Sequence, residues 1–253
     1  MVLAGALILG GCQEPGDTEM ARGNVLASRG QHEEAIAAYR AAAAASPASA
    51  RPLELLGHVL QDRGRAAEAR DAYRRAIELS PEGAVEARLG LAKLEASEGR
   101  LDGAIAQLTA VLEAEKNNLF ALLSRAQLHL RRGGREGAEA AIQDTARAML
   151  IDRRNAVVLY TRGQAFLAAG APDQAAEAFR LLQEARPSSP LWAYGLAKVA
   201  MARGDRASAL DGLRKARERA SPGSGYSTSE VRKDPAFAAL RDDPDFAAAV
   251  GEP

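Results

Sequence analysis

The chain has 253 residues, with 33 Lys plus Arg balanced by 33 Asp plus Glu. That balance offers neither the basic field of a nucleic-acid binder nor the acidic excess of a disordered chain. Aromatic residues make up only 4% while Ala is abundant, which excludes a bulky aromatic core and favours closely packed helices, and a single cysteine, Cys12, excludes an internal disulfide.

The first eleven residues, MVLAGALILGG, carry no charge. As a helix they would span roughly 16 Å, about half a hydrocarbon core, so they are too short to cross a membrane. The stretch resembles the apolar region of a secretory signal, and Leu9-Gly10-Gly11-Cys12 resembles the bacterial lipobox. That resemblance implies cleavage before Cys12 and acylation of its thiol, which changes the membrane reading from spanning to anchored. Such signals carry a basic residue near their start and this run has none, so the native start is expected upstream. The alternative is a buried apolar segment with an incidental cysteine. Residues 12–18 then form the lipidated Cys and a linker, and Gln13 to Thr18 reaches at most about 20 Å, keeping the first helical unit close to the bilayer.

A period runs through the next two hundred or so residues. GQHEEAIAAYRAAAAASP (30–47), GRAAEARDAYRRAIELSP (64–81) and GAPDQAAEAFRLLQEARP (170–187) share Gly, then Ala35, Ala69 or Ala175, then Tyr39, Tyr73 or Phe179, then Pro47, Pro81 or Pro187. The first two lie 34 residues apart, and a glycine (Gly23, Gly57, Gly163) stands seven residues before each leading Gly. These residues resemble the tetratricopeptide repeat, a helix-turn-helix unit with a small residue at position 8, Ala at 20, an aromatic at 24 and Pro at 32. Weaker copies run through Ala92, Gly99, Ala104 and Leu108, through Ala126, Gly133, Ala138 and Ile142, and through Ala197, Gly204, Ala209 and Leu213. The resemblance implies an all-α fold: a right-handed superhelix (α-α solenoid) of about six repeats within residues 19–223. Their approximate bounds are 16–49, 50–84, 85–118, 119–155, 156–189 and 190–223. One extra residue falls near Glu82-Gly83, and about three fall between Ile142 and Asn155, lengthening the second helix of the fourth repeat by nearly a turn. Both read as local adjustments of pitch.

Residues 224–253 do not repeat. GSGYSTSE reads as a loop, and Asp234-Pro235 and Asp243-Pro244 as two helix starts, with Asp as N-cap and Pro in the first turn. Phe237, Leu240, Phe246 and Val250 are the apolar positions, and the segment resembles the short C-terminal capping helices of bacterial repeat proteins.

No catalytic constellation, paired-cysteine motif or phosphate loop is present, and His32, His58 and His129 fall in different repeats. The expectation is a non-enzyme without cofactor, metal or nucleic acid. Trp192, at a helix start, reads as packing. The resemblance places partner-binding residues on the first helix of each repeat. The early repeats offer Asn24, Arg51, Glu54, His58, Gln61, Asp62 and Lys93. The later ones offer Phe120, Leu123, Gln127, Leu130, Arg131, Tyr160, Gln164, Leu167, Tyr194, Lys198 and Met201, an apolar, Tyr- and Met-containing strip suited to an extended or helical protein segment. The alternative is that this strip packs against the curve of the superhelix or the C-terminal tail. Of the family's carboxylate clamp only Asn24 is matched, with Met20 and Ala27 where polar groups are needed, so that function is rejected. The reading is an outer-membrane lipoprotein facing the periplasm whose repeats act as an adaptor. It resembles the pilotin lipoproteins that assist pilus secretins. A holdase chaperone and a cytosolic adaptor are the alternatives.

Overall fold

The computed structural model describes residues 16–251. The expected signal, residues 1–11, and the lipidation site Cys12 lie outside the described residues. All regular structure among the described residues is helical, and none of these helices is long and apolar enough to cross a membrane. The chain divides after Ala114 into two compact units.

Unit 1 holds α1 (Asp17–Ser28), α2 (His32–Ala45), α3 (Arg51–Asp62), α4 (Ala66–Leu79), α5 (Val85–Ser97) and α6 (Leu101–Ala114). Neighbours in sequence pack as hairpins, and α3 also packs on α5, so the first helices of successive pairs form one layer. Each hairpin turns on a glycine in the left-handed region, such as Gly64 at φ 73°, where a side chain would be strained. The second helices present Ala to the first helices, and α2 and α4 also carry an aromatic, Tyr39 and Tyr73, where α6 has Leu108. Tyr73 is fully buried, and a Cβ added at Gly57 or Gly90 would stand 2.4 or 2.3 Å from its ring. One phenol therefore occupies the space left by two glycines of two successive first helices. The outer face carries ion pairs between repeats, Arg40–Glu68 at 2.7 Å and Arg70–Glu98 at 2.5 Å. Such exposed pairs contribute only about 0–1 kcal/mol each.

Unit 2 holds α7 (Leu119–Arg132), α8 (Gly134–Ile151), α9 (Ala156–Ala168), α10 (Pro172–Ala185), α11 (Leu191–Ala202) and α12 (Arg206–Glu218). Three shorter elements complete it: α13 (Thr228–Lys233), a 3-10 turn (Pro235–Leu240) and α14 (Pro244–Val250). α7 packs on α9 and α9 on α11, repeating the layering of unit 1. Phe179 plays the part of Tyr73, since Cβ atoms at Gly163 and Gly195 would each come within 2.4 Å of its ring. The α7–α8 pair has Ile142 in place of the aromatic and gains a buried ion pair. Arg125 donates through Nε and Nη2 to Asp144, at 2.9 and 2.6 Å. α8 runs to 18 residues, because Leu150 stands where the three clearest copies of the repeat carry Pro47, Pro81 and Pro187.

Two local expectations change. GSGYSTSE is not all loop, since Ser227 caps α13, accepting from the amide of Glu230 at 3.5 Å, and the Ser-x-x-Glu spacing of a capping box was present in the sequence. Asp234-Pro235 opens a 3-10 turn, not an α-helix, because Phe237 (φ −107°, ψ 15°) leaves helical geometry to enter the core. Phe237, Leu240, Phe246 and Val250 are buried in one cluster with Ala197 of α11 and Leu210 and Leu213 of α12, each worth about 1.5–3 kcal/mol of transfer free energy.

Truncating the wedge tests this packing. Phe179→Ala should cost about 3–5 kcal/mol, seen as an earlier urea transition in the fluorescence of Trp192, which shares its cluster. An unchanged transition would mean that the ring does not hold unit 2 together.

Candidate functional site

The residues expected to bind a partner all lie on the first helices, and the structure sorts them into three environments. In unit 1 most of them meet buried phenols or neighbouring charges. The hydroxyl of Tyr39 donates to Asn24 Oδ1 at 2.8 Å; that of Tyr73 donates to Gln61 Oε1 at 2.9 Å and lies 3.3 Å from His58 Nδ1. The buried aromatics thus reach through the helix layer and find polar partners on its far side, one of them fifteen residues upstream in each case. Burial is the main cause that raises both phenols' pKa. His58 Nε2 lies 3.8 Å from Glu86, Arg51 pairs with Glu54 at 3.1 Å, and Lys93 is exposed.

On α11 the strip is already covered. Tyr194 donates to Asp234 Oδ2, and Lys198 Nζ lies 3.0 Å from the same carboxylate. The ring of Tyr194 meets Tyr226 edge-on at 5.8 Å and Phe237 at 5.9 Å, and Met201 packs on the same cluster. The C-terminal segment therefore supplies an acid and two aromatics to the part of the strip expected to receive a partner. Burial raises the Asp234 carboxyl. The hydrogen bond from Tyr194, the amide of Ala236 and Lys198 together outweigh it, so the net pKa lies below the ordinary carboxylate range. Tyr194 is pushed far up, by burial first and then by Asp234. On α11 the alternative reading, that the strip packs against the C-terminal tail, is therefore the one that describes the structure.

On α7 and α9 the strip is more open. Phe120 is 61% exposed, Gln127 and Arg131 are exposed, and Leu123 and Leu130 are half-buried on α7. Tyr160, Gln164 and Leu167 follow one another along a single stripe of α9, all half-buried, and Tyr160 leans on Phe179 at 5.9 Å. Burial raises the Tyr160 phenol strongly, with the charges of Asp234 and Glu230 adding to the effect. Apolar and aromatic surface interrupted by amides can hold another protein's side chains and pair with its backbone. Among the described residues no group of three His, Cys, Asp or Glu side chains could hold a metal ion.

Hairpins of helices stacked through small-residue contacts, with a layer of first helices left for ligands, define an α-solenoid scaffold for protein–protein interaction. Sequence patterns described as TPR repeat match residues 23–64, and those described as tetratricopeptide repeat match 54–118, 123–190 and 160–225. The chain belongs to the tetratricopeptide-repeat family, whose members are generally scaffolds and not catalysts. No sequence relative among curated proteins matches it. Among solved structures, a tetratricopeptide repeat protein from Parabacteroides merdae is 16% identical, covering 94% of this chain and 91% of that one with a TM-score of 0.73. The pilF protein of Pseudomonas aeruginosa is 16% identical, covering 83% and 93% with a TM-score of 0.63. YrrB, a TPR protein with an unusual peptide-binding site, is 18% identical, covering 73% and 93% with a TM-score of 0.62. These identities speak to the fold alone.

The Asp234 contact has a defined pH dependence. A carboxyl whose folded pKa is depressed stabilises the folded state above its unfolded pKa, near 3.9, and that stabilisation is lost as pH falls through the folded value. Asp234→Asn at neutral pH should mimic the loss, speeding amide exchange over residues 228–250 by about tenfold or more, as expected for a charged hydrogen bond. Exchange equal to that of the parent chain would show that Asp234 does not hold the segment.

Proposed function

We propose that this chain is a membrane-anchored adaptor of the bacterial envelope. Acylated Cys12 ties it to the outer membrane on the periplasmic side, and α7 and α9 take an extended or helical segment of a partner protein. The observation that carries the binding role is the contrast along one strip: α11 is covered by the chain's own acid and aromatics, whereas Phe120 and its neighbours on α7 and α9 stay accessible. The segment on α11 also illustrates the ligand chemistry this layer accepts, an acid flanked by aromatics. YrrB, a fold neighbour with a peptide-binding site, supports peptide binding as a use of this fold. The resemblance of the lipobox and the repeats to pilotin lipoproteins points to assembly of an envelope complex, such as a pilus secretin, as the process. No catalytic step is assigned to the chain.

Photoreactive benzoylphenylalanine at Gln127 or Gln164 should crosslink in cells to one or two discrete proteins, and at Tyr194 to none. Equal capture from Tyr194, or none from Gln127 and Gln164, contradicts the assignment, and a broad smear of clients would replace it with a holdase. An alkyne analogue of palmitate should label the parent chain and not Cys12→Ser, and equal labelling would remove the anchor.

A further inference from the structure

The extension of α8 leaves a surface that the adaptor reading does not use. Because Leu150 replaces the helix-ending proline, α8 continues to Ile151 before Asn155 caps α9 by accepting from the amides of Val157 and Val158. Leu150 is 87% exposed, Ile151 41% and Val157 50%. Three branched aliphatic side chains within eight residues therefore stand in water at one corner of unit 2. Leu150 and Ile151 lie in the last turn of α8, whose inward position Ala148 is fully buried, and Val157 stands in the first turn of α9 beside the buried Val158 and Leu159.

The corner is also basic. Lys116, Arg147, Arg153, Arg154 and Arg186 are exposed around it. Arg147 donates to the carbonyl of Lys116 at 2.6 Å, which ties the end of α8 to the loop before α7, and no carboxylate among the described residues pairs with Arg153 or Arg154. Of the nearby acids, Glu115 accepts from Asn118 Nδ2 at 2.8 Å. Asp152 accepts from the amide of Arg154 at 3.1 Å and from Asn155 Nδ2 at 3.3 Å. Arg153 and Arg154 line a cleft of about 330 Å³ with Met149 and Leu181, and Glu184 is the carboxylate in that lining. Five cations thus outnumber three carboxylates, two of which are turned to local amides.

We propose that this α8–α9 corner docks on a bilayer containing anionic lipid. Leu150, Ile151 and Val157 enter the boundary between headgroups and acyl chains, and Arg153 and Arg154 meet headgroup phosphates. Charge complementarity selects this occupant. An apolar tip ringed by cations matches an interface that is hydrocarbon below and anionic above, where each basic residue and each buried methylene adds to binding. A protein groove would need acids placed to match, and a second copy of the chain would bring like charge to like charge. The contact is independent of acylation at Cys12 and of the partner-binding face.

The test is flotation of the full chain, in the Cys12→Ser form, with phosphatidylcholine vesicles and with 7:3 phosphatidylcholine:phosphatidylglycerol vesicles. The anionic vesicles should carry the protein and the neutral ones little. Leu150→Ser with Ile151→Ser, and separately Arg153→Gln with Arg154→Gln, should each weaken partition about tenfold, and salt should weaken the parent further. These side chains are exposed, so both pairs should leave the far-UV circular dichroism unchanged. Absence of flotation, equal flotation on neutral vesicles, or variants that float like the parent would overturn the proposal. So would light scattering that shows a dimer in the parent and a monomer in Leu150→Ser/Ile151→Ser, which assigns the corner to self-association.

Discussion

A single close contact sets how the helix pairs of each unit stack: an aromatic side chain from a second helix lodged where two first helices have no side chain at all. Around Tyr73 and Phe179 the space is defined on both sides by glycine, and added Cβ atoms at Gly57, Gly90, Gly163 and Gly195 would fall 2.3–2.4 Å from ring atoms. Interiors packed to crystal-like density leave no slack for such an addition. The ring thus fixes both the crossing within a pair and its offset from the next. Where the aromatic is missing, other devices substitute. Leu108 and Leu213 are buried at the equivalent places, and beside Ile142 the bidentate Arg125–Asp144 pair fills the gap. A buried ion pair adds little net stability against an apolar filling of equal volume, but losing either partner strands a charge, so it favours one arrangement.

The same wedge decides which parts of the binding strip are free. A phenol long enough to cross the helix layer brings a hydroxyl that must be satisfied, and in unit 1 Asn24, His58 and Gln61 meet that need. Phe179 makes no such demand, so Gln164, fifteen residues upstream like Asn24 and His58, has no phenol to serve. Tyr194 and Lys198 are instead taken by Asp234 of the C-terminal segment. Gln164 of α9 is left without a phenol, while Tyr194 and Lys198 of α11 are engaged.

Most of the stack was legible because its determinants are local and periodic. Gly57, Ala69 and Tyr73 recur at fixed offsets, and each has a steric reason that a sequence alone expresses. The extra residues between Ile142 and Asn155 also announced the longer α8. The candidate strip was legible only as a set of positions. Whether Tyr194 is free depends on a carboxylate forty residues away on a segment without a repeat, and whether His58 is free depends on the hydroxyl that separates Tyr73 from Phe179. The capping box at Ser227-Thr228-Ser229-Glu230 was readable and was overshadowed by the surrounding Gly and Ser. The 3-10 turn after Asp234 was not, since it arises from Phe237 leaving helical geometry to bury itself against Tyr194 of α11.

The central claim, that a ring seated between glycines sets the stacking, is tested most directly by a double-mutant cycle on Tyr73 and Gly90, followed by urea unfolding in far-UV circular dichroism. Gly90→Ala in the parent chain should destabilise it, because overpacking costs about 1–3 kcal/mol and outweighs the roughly 1 kcal/mol that Ala gains over Gly in a helix. In a Tyr73→Ala background the obstacle is gone, and the same substitution should stabilise, so its effect changes sign. If Gly90→Ala stabilises both backgrounds equally, the ring does not occupy that space and the account of the stack is wrong.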